Sequence, residues 1–102
     1  MQECKLKILT TALNEMSQIA QNHLILVDPV SAEKITDYLF ESLERLKMFP
    51  LSGPLINDDE LGRKGYRILV CKKYICVYRL IEDTVFVYHI MHGATDYPKL
   101  FK

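Results

Sequence analysis

Residues 66–92 read Tyr66-Arg67-Ile68-Leu69-Val70-Cys71, Lys72-Lys73, Tyr74-Ile75-Cys76-Val77-Tyr78-Arg79-Leu80-Ile81, Glu82-Asp83, then Thr84-Val85-Phe86-Val87-Tyr88-His89-Ile90-Met91-His92. Three runs rich in β-branched and aromatic residues are divided by two charged pairs, which predicts an antiparallel meander of three strands. Neither Lys72-Lys73 nor Glu82-Asp83 holds the Gly or Asn that a two-residue turn prefers, so longer loops stay open. If both turns have two residues, pairing can be counted outward. Arg67 then lies opposite Tyr78, Tyr78 opposite Val87, Cys76 opposite His89 and Ile75 opposite Ile90. One face would show Arg67, Leu69, Cys71, Tyr74, Cys76, Tyr78, Val87, His89 and Met91. The other would show Ile68, Val70, Ile75, Val77, Arg79, Phe86, Tyr88, Ile90 and His92. A slip of one residue reverses every assignment. Both faces are largely apolar, which leaves open the one that meets the rest of the chain. A sheet meant only to fill a core does not need Arg67, Arg79, His89 and His92, so a working face or edge is expected.

Outward from the meander, the N-terminal sixty residues supply the other layer. Cys4 to Leu9 alternates as a short strand, with Leu6 and Ile8 inward and Lys5 and Lys7 outward, as suits an edge. Thr10 or Thr11 is placed to cap a first helix. In it Leu13, Met16, Ile19, Ala20 and Leu24 recur at helical spacing, with Asn14, Glu15, Gln18 and Gln21 facing out. Asp28-Pro29 restarts the chain as N-cap and first helical residue. A second helix then runs toward Met48 with Ile35, Leu39, Leu43 and Leu46 on one stripe, and Pro50 stops it. Residues 50–65, punctuated by Pro50, Gly53, Pro54, Gly62 and Gly65, read as a long loop. The fold class is therefore α+β: an N-terminal strand and a helical hairpin packed on a C-terminal three-stranded antiparallel meander. One sheet face takes the hairpin and the other awaits a partner.

A chain of 102 residues is expected to form one domain over 1–102, long enough to bury a core without staples. The net charge of zero hides an asymmetry. Residues 1–60 hold 5 Lys and Arg against 10 Asp and Glu, while residues 61–102 hold 8 against 3. The sheet half is thus positive and can attract an acidic partner. Three cysteines without a CxxC motif fit a reduced, cytoplasmic protein. No signal peptide or run long enough to span a bilayer is visible, so no membrane association is expected.

Several residues admit chemistry, each with a plainer alternative. Arg67 can bind phosphate or an acidic partner, or stand idle on an edge. Arg79, inside an apolar strand, needs a partner such as Asp96. His89 and His92 can exchange protons or simply satisfy backbone groups. Tyr97 can serve as acid or base, or dock the tail with Leu100 and Phe101. Cys71, Cys76 and His89 fit no zinc-ligand spacing, so no metal is expected. No glycine-rich phosphate loop, Ser/His/Asp arrangement or paired carboxylates stand out, and no cofactor is called for.

The order of elements, together with Gly65-Tyr66-Arg67-Ile68-Leu69-Val70, Val77-Tyr78-Arg79 and Val87-Tyr88-His89-Ile90-Met91-His92-Gly93-Ala94-Thr95-Asp96-Tyr97, resembles the RelE/ParE superfamily of toxins from bacterial type II toxin–antitoxin systems. The resemblance covers about Cys4 to Phe101. It implies growth inhibition, plasmid stabilisation, and a small cognate antitoxin as partner, in a heterotetramer or beside a homodimer. It also implies one of two targets. The RelE-like branch cleaves mRNA on the ribosome without metal, using cationic groups around the scissile phosphate. On that pattern Arg67, His92 and Tyr97 would be catalytic. Leu69, Ile75 and Thr95, however, stand where that branch carries basic residues. The ParE-like branch poisons DNA gyrase without hydrolysis, and the Tyr-Arg strand ends and His-x-x-x-Asp ending lean toward it. Arg67, Lys72, Lys73, Arg79 and His89 would then be binding groups. A non-toxic co-repressor that only binds antitoxin is one further alternative, and an unrelated interaction domain with a similar strand pattern is another.

Overall fold

A computed structural model describes residues 3–93. The chain runs β1 (Lys5–Ile8), α1 (Thr10–Leu26), α2 (Pro29–Glu44), a single 3₁₀ turn (Arg45–Lys47), α3 (Asp59–Arg63), β2 (Tyr66–Cys71), β3 (Tyr74–Ile81) and β4 (Thr84–His92). The four strands form one sheet in the order β1-β4-β3-β2. The meander is antiparallel, and β1 joins β4 in parallel as an edge, with Lys5 and Lys7 exposed.

Both hairpin turns do have two residues, since Cys71 pairs with Tyr74 and Ile81 with Thr84. Lys72 and Glu82 reach this geometry with φ of 59° and 55°, in the left-handed region usually given to Gly or Asn. The register between β2 and β3 agrees with the count above, Arg67 facing Tyr78. Between β3 and β4 it agrees only as far as Tyr78 opposite Val87. A bulge at Tyr88 then shifts the ladder, so Val77 faces His89, Cys76 faces Ile90 and Ile75 faces Met91. The predicted pairs Cys76–His89 and Ile75–Ile90 are corrected accordingly. The bulge has a packing reason: it turns Ile90 toward the helices and Met91 toward the opposite face.

The hairpin of α1 and α2 covers one face of the sheet. Met16, Ile19, Ile35, Leu39, Leu43 and Leu46 meet Cys71, Cys76, Tyr78, Val85, Val87 and Ile90 in the main core. The predicted stripe Ile35, Leu39, Leu43 and Leu46 is buried, although α2 ends at Glu44, short of the expected Met48, and Leu46 sits in the 3₁₀ turn. The α1 stripe is Ala12, Met16 and Ile19, with Leu13 and Leu24 exposed. The Cys71 and Cys76 thiols lie 3.6 Å apart in this core. The neighbouring Cys71 sulfur, with burial, holds the Cys76 thiol well above its usual range. Asp28 caps α2 as expected, its Oδ1 accepting from the Ser31 amide at 2.7 Å. The first helix, in contrast, starts at Thr10 after Leu9 with no side-chain cap, so neither threonine plays that role.

The other face does not stand open. Residues 50–65 fold back across it, with α3 capped by Asp58. Ile56 and Leu61 pack on Ile75, Val77 and Met91 in a second small core, flanked by Tyr66 and Ile68. The expectation of a bare apolar face awaiting a partner is thus corrected: an amphipathic turn and one isoleucine in the loop provide its cover. The same loop runs beside β2, where Ile68 donates to the Pro54 carbonyl and Ile56 to that of Tyr66. Among the described residues no helix is long and apolar enough to cross a membrane.

Candidate functional site

The end of the helical hairpin and the β2–β3 turn enclose a cleft of about 650 Å³. His23 enters it from the last turn of α1, four residues after Ile19 on the inward stripe. Its Nε2 lies 3.0 Å from the Tyr74 hydroxyl and its Nδ1 2.9 Å from the Ser31 hydroxyl. Tyr74 opens β3 and pairs with Cys71 on one side and His92 on the other. Its ring meets the His92 ring edge-on at 6.0 Å between centroids. The Gly93 amide donates to the Lys73 carbonyl at 2.8 Å, tying the end of β4 to the turn. A Cβ at Gly93 would stand 3.3 Å from that carbonyl, so the His-Gly pair closing the last strand has a steric reason. Lys72, Lys73 and Lys34 complete the cationic wall, while Val30 and Ile35 give an apolar one.

Of the residues singled out in the sequence, Lys72, Lys73 and His92 gather here. His23, Ser31, Lys34 and Tyr74 were not anticipated. The signal for His23 was present: a lone polar side chain on the stripe Ala12, Met16, Ile19 needs partners when it turns inward. Chemically, His23 bridges two hydroxyls. With a proton on Nδ1 it donates to Ser31 and accepts from Tyr74; the other tautomer reverses both bonds. The pair with Tyr74 can therefore hold or pass one proton at the cleft.

Arg67 lies elsewhere. It faces Tyr78 and His92 faces Tyr74, so the two are four residues apart along β3, about 13 Å at strand rise. Arg67 Nη1 donates to the Gly53 carbonyl at 2.8 Å and reaches toward that of Leu51 at 3.5 Å. The Gly53 amide in turn donates to the Tyr78 hydroxyl at 2.9 Å. Burial raises the Tyr78 phenol pKa above its ordinary value, with the Gly53 amide and the Arg67 charge opposing. Arg67 thus clamps the loop.

Arg79 lies between two tyrosine rings, its guanidinium 4.8 Å from the Tyr66 centroid and 5.6 Å from that of Tyr88. It donates to the Tyr88 hydroxyl at 3.0 Å and to the Lys64 carbonyl at 3.4 Å, while its Nε is buried without a partner among the described residues. This is a cation–π enclosure, with hydrogen bonds at its rim. The expected Asp96 partner, like Thr95, Tyr97, Leu100 and Phe101, lies outside the described residues. His89 Nδ1 lies 3.2 Å from Glu15 Oε1, and the same oxygen accepts from the Ile90 amide at 3.1 Å. Glu15, expected to face water, instead supplies an acceptor where β1 no longer covers the edge of β4. Among the described residues no three His, Cys, Asp or Glu side chains converge as a metal site would need.

The fold resembles two solved toxin–antitoxin systems. One is the chromosomal ParDE system from P. aeruginosa, at 17% identity and a TM-score of 0.75, covering 88% of this chain and 96% of that one. The other is the RelBE2 toxin–antitoxin complex from Mycobacterium tuberculosis, at 18% identity and a TM-score of 0.66, covering 88% and 98%. At such identities the likeness shows the fold. A search of curated protein sequences found no match. Residues 6–97 match the sequence profile of the ParE toxin of the type II toxin–antitoxin system parDE. That span takes in the helical hairpin, the clamped loop and the whole meander, and the chain belongs to the ParE toxin family of type II toxin–antitoxin systems.

Proposed function

We propose that this toxin arrests growth by binding DNA gyrase and that a cognate antitoxin neutralises it. The observation that carries the choice of target is the fate of the positions where the ribonuclease branch holds basic groups. Leu69 packs against the main core and Ile75 lies in the second one. Arg67, the one basic group kept among these positions, is engaged by loop carbonyls, and the fourth position is a threonine, Thr95, outside the described residues. Without a row of cations on the sheet, a scissile phosphate has little to neutralise its developing charge there. An inhibitor that works by occupying a protein surface needs no such row. For the antitoxin, the exposed apolar side chains of Phe49, Leu51 and Val70 beside β2 offer a docking strip, and the solved neighbours are toxin–antitoxin systems.

One observation favours the alternative, a metal-independent endoribonuclease acting on ribosome-bound mRNA. The His23–Tyr74 pair stands among lysines, with His92 beside it, and such a set can move protons between a 2′-hydroxyl and a leaving oxygen. A single experiment separates the two. The purified chain is incubated with gyrase and supercoiled plasmid, and in parallel with programmed ribosomes. The gyrase reading expects linear DNA that requires gyrase, and intact mRNA. Cleaved mRNA that disappears in Tyr74→Phe, His92→Ala or Arg67→Ala would replace it with the ribonuclease reading.

A further inference from the structure

We propose that the cleft between α2 and the β2–β3 turn binds a small phosphomonoester of nucleoside-monophosphate size, with Lys34, Lys72 and Lys73 around its phosphate. The inference does not rest on the gyrase reading; either can fail while the other holds.

Charge carries the first step. Lys5, Lys47 and Lys64 are each ion-paired, to Asp83, Glu44 and Glu60. Lys34, Lys72 and Lys73 have no such partner among the described residues, although they come from two separate elements to one cleft. The carboxylate at the rim, Asp28, accepts from the Ser31 amide as the α2 cap, a bond that does not cancel its charge, so three lysines stand against one carboxylate in the lining. Unpaired like charges drawn together around a concavity repel one another, and a dianion placed among them relieves that repulsion. Lys72 is fixed further: its Nζ stands 4.4 Å over the Tyr38 ring, and its turn is pinned by Gly93.

Shape and polarity carry the second. About 650 Å³ lies within the range of small-molecule sites and suits a mononucleotide. Val30 and Ile35 give an apolar wall for a flat ring. The Ser31 and Tyr74 hydroxyls, both held by His23, are oriented donors and acceptors for sugar or phosphate oxygens. Polymer is disfavoured by what surrounds the cleft. Glu33, next to Lys34, and Asp37 and Glu41, further along α2, lie exposed, so an extended polyanion leaving the cleft that way would run along carboxylates.

The test is calorimetric titration of the full chain at low ionic strength with adenosine 5′-monophosphate, adenosine, inorganic phosphate and a short single-stranded oligonucleotide. Saturable binding of the monophosphate, none of adenosine, and displacement by inorganic phosphate are expected. Combining Lys34→Gln, Lys72→Gln and Lys73→Gln should weaken binding by about tenfold or more, and Lys7→Gln should leave it unchanged. Amide NMR shifts in the unsubstituted chain provide a readout that needs no variant. They should centre on Ser31, Lys34, Lys73 and Tyr74. Equal binding of adenosine, failure of phosphate to compete, indifference to the triple substitution, shifts away from the cleft, or no binding at all would overturn the proposal. So would tighter binding of the oligonucleotide than of the monophosphate, which would make the ligand a polymer.

Discussion

A Cβ at Gly53 would meet the Ile68 carbonyl oxygen at 2.3 Å and the Tyr78 hydroxyl at 2.9 Å. Backbone cannot retreat as a flexible side chain can, so Gly53→Ala should cost about 1–3 kcal/mol, read from the urea midpoint. The loss should come with loosening of residues 50–56, because Arg67 and Tyr78 both grip this glycine. Tyr78 also sets a pH limit. Its phenol is raised by burial, whereas in the unfolded chain it titrates near 10. Below that pH both states keep the proton and its contribution is intact. Above it only the unfolded state releases the proton, so stability falls as pH rises toward the folded value. Urea midpoints at pH 9 and pH 11 should differ by less in Tyr78→Phe than in the parent chain. Glu15→Ala should cost about 1–2 kcal/mol by leaving the Ile90 amide and His89 without their carboxylate. These residues mark the limit of reading by periodicity. Glu15 lies on a helix position that spacing assigns to solvent, and only the early end of β1 explains its turn toward β4. His23 was legible as a polar residue on a buried stripe, but its partners Ser31 and Tyr74 are 8 and 51 residues away.

The elements themselves were largely legible. Alternation located β1, and runs of β-branched and aromatic residues located the three strands of the meander. Asp28-Pro29 located the start of α2, and the stripe Ile35, Leu39, Leu43 named its buried face, continued by Leu46 in the 3₁₀ turn. Two things escaped. The bulge at Tyr88 leaves no mark in local composition, because it is set by which of Ile90 and Met91 best fills the space under the helices. The short α3 sits inside a Gly- and Asp-rich stretch whose helical signal is one cap and one turn. The hairpin turns offer a test at this scale. Both are tight although Lys72 and Glu82 take positive φ, which strains any side chain with a Cβ. Glu82→Asn, far from the cleft, should therefore raise stability by about 0.5–1 kcal/mol, measured by thermal and urea unfolding together. A loss instead would mean that the Glu82 side chain has a role its exposure does not show.

For the molecule as a whole, the same chain that clamps its loop over one sheet face leaves its catalytic-looking groups at the opposite end of β3. Arg67 and Arg79 are held in structural enclosures, whereas Lys34, Lys72 and Lys73 line an open cleft with no ion-pair partner among the described residues. This separation supports the proposed reading of a toxin that occupies a protein target over a ribonuclease built on the sheet. The positive half predicted from charge counting is real in sequence, yet Lys34, from the acidic half, joins its lysines at the cleft. The decisive measurement is the fraction of plasmid DNA recovered in linear form after induced expression of the chain in a growing bacterial host. A rise in gyrase-dependent linear plasmid together with arrest, reversed by co-expression of the antitoxin, is expected. Arrest with plasmid topology unchanged and ribosome-bound mRNA cut, or unimpeded growth, would contradict it.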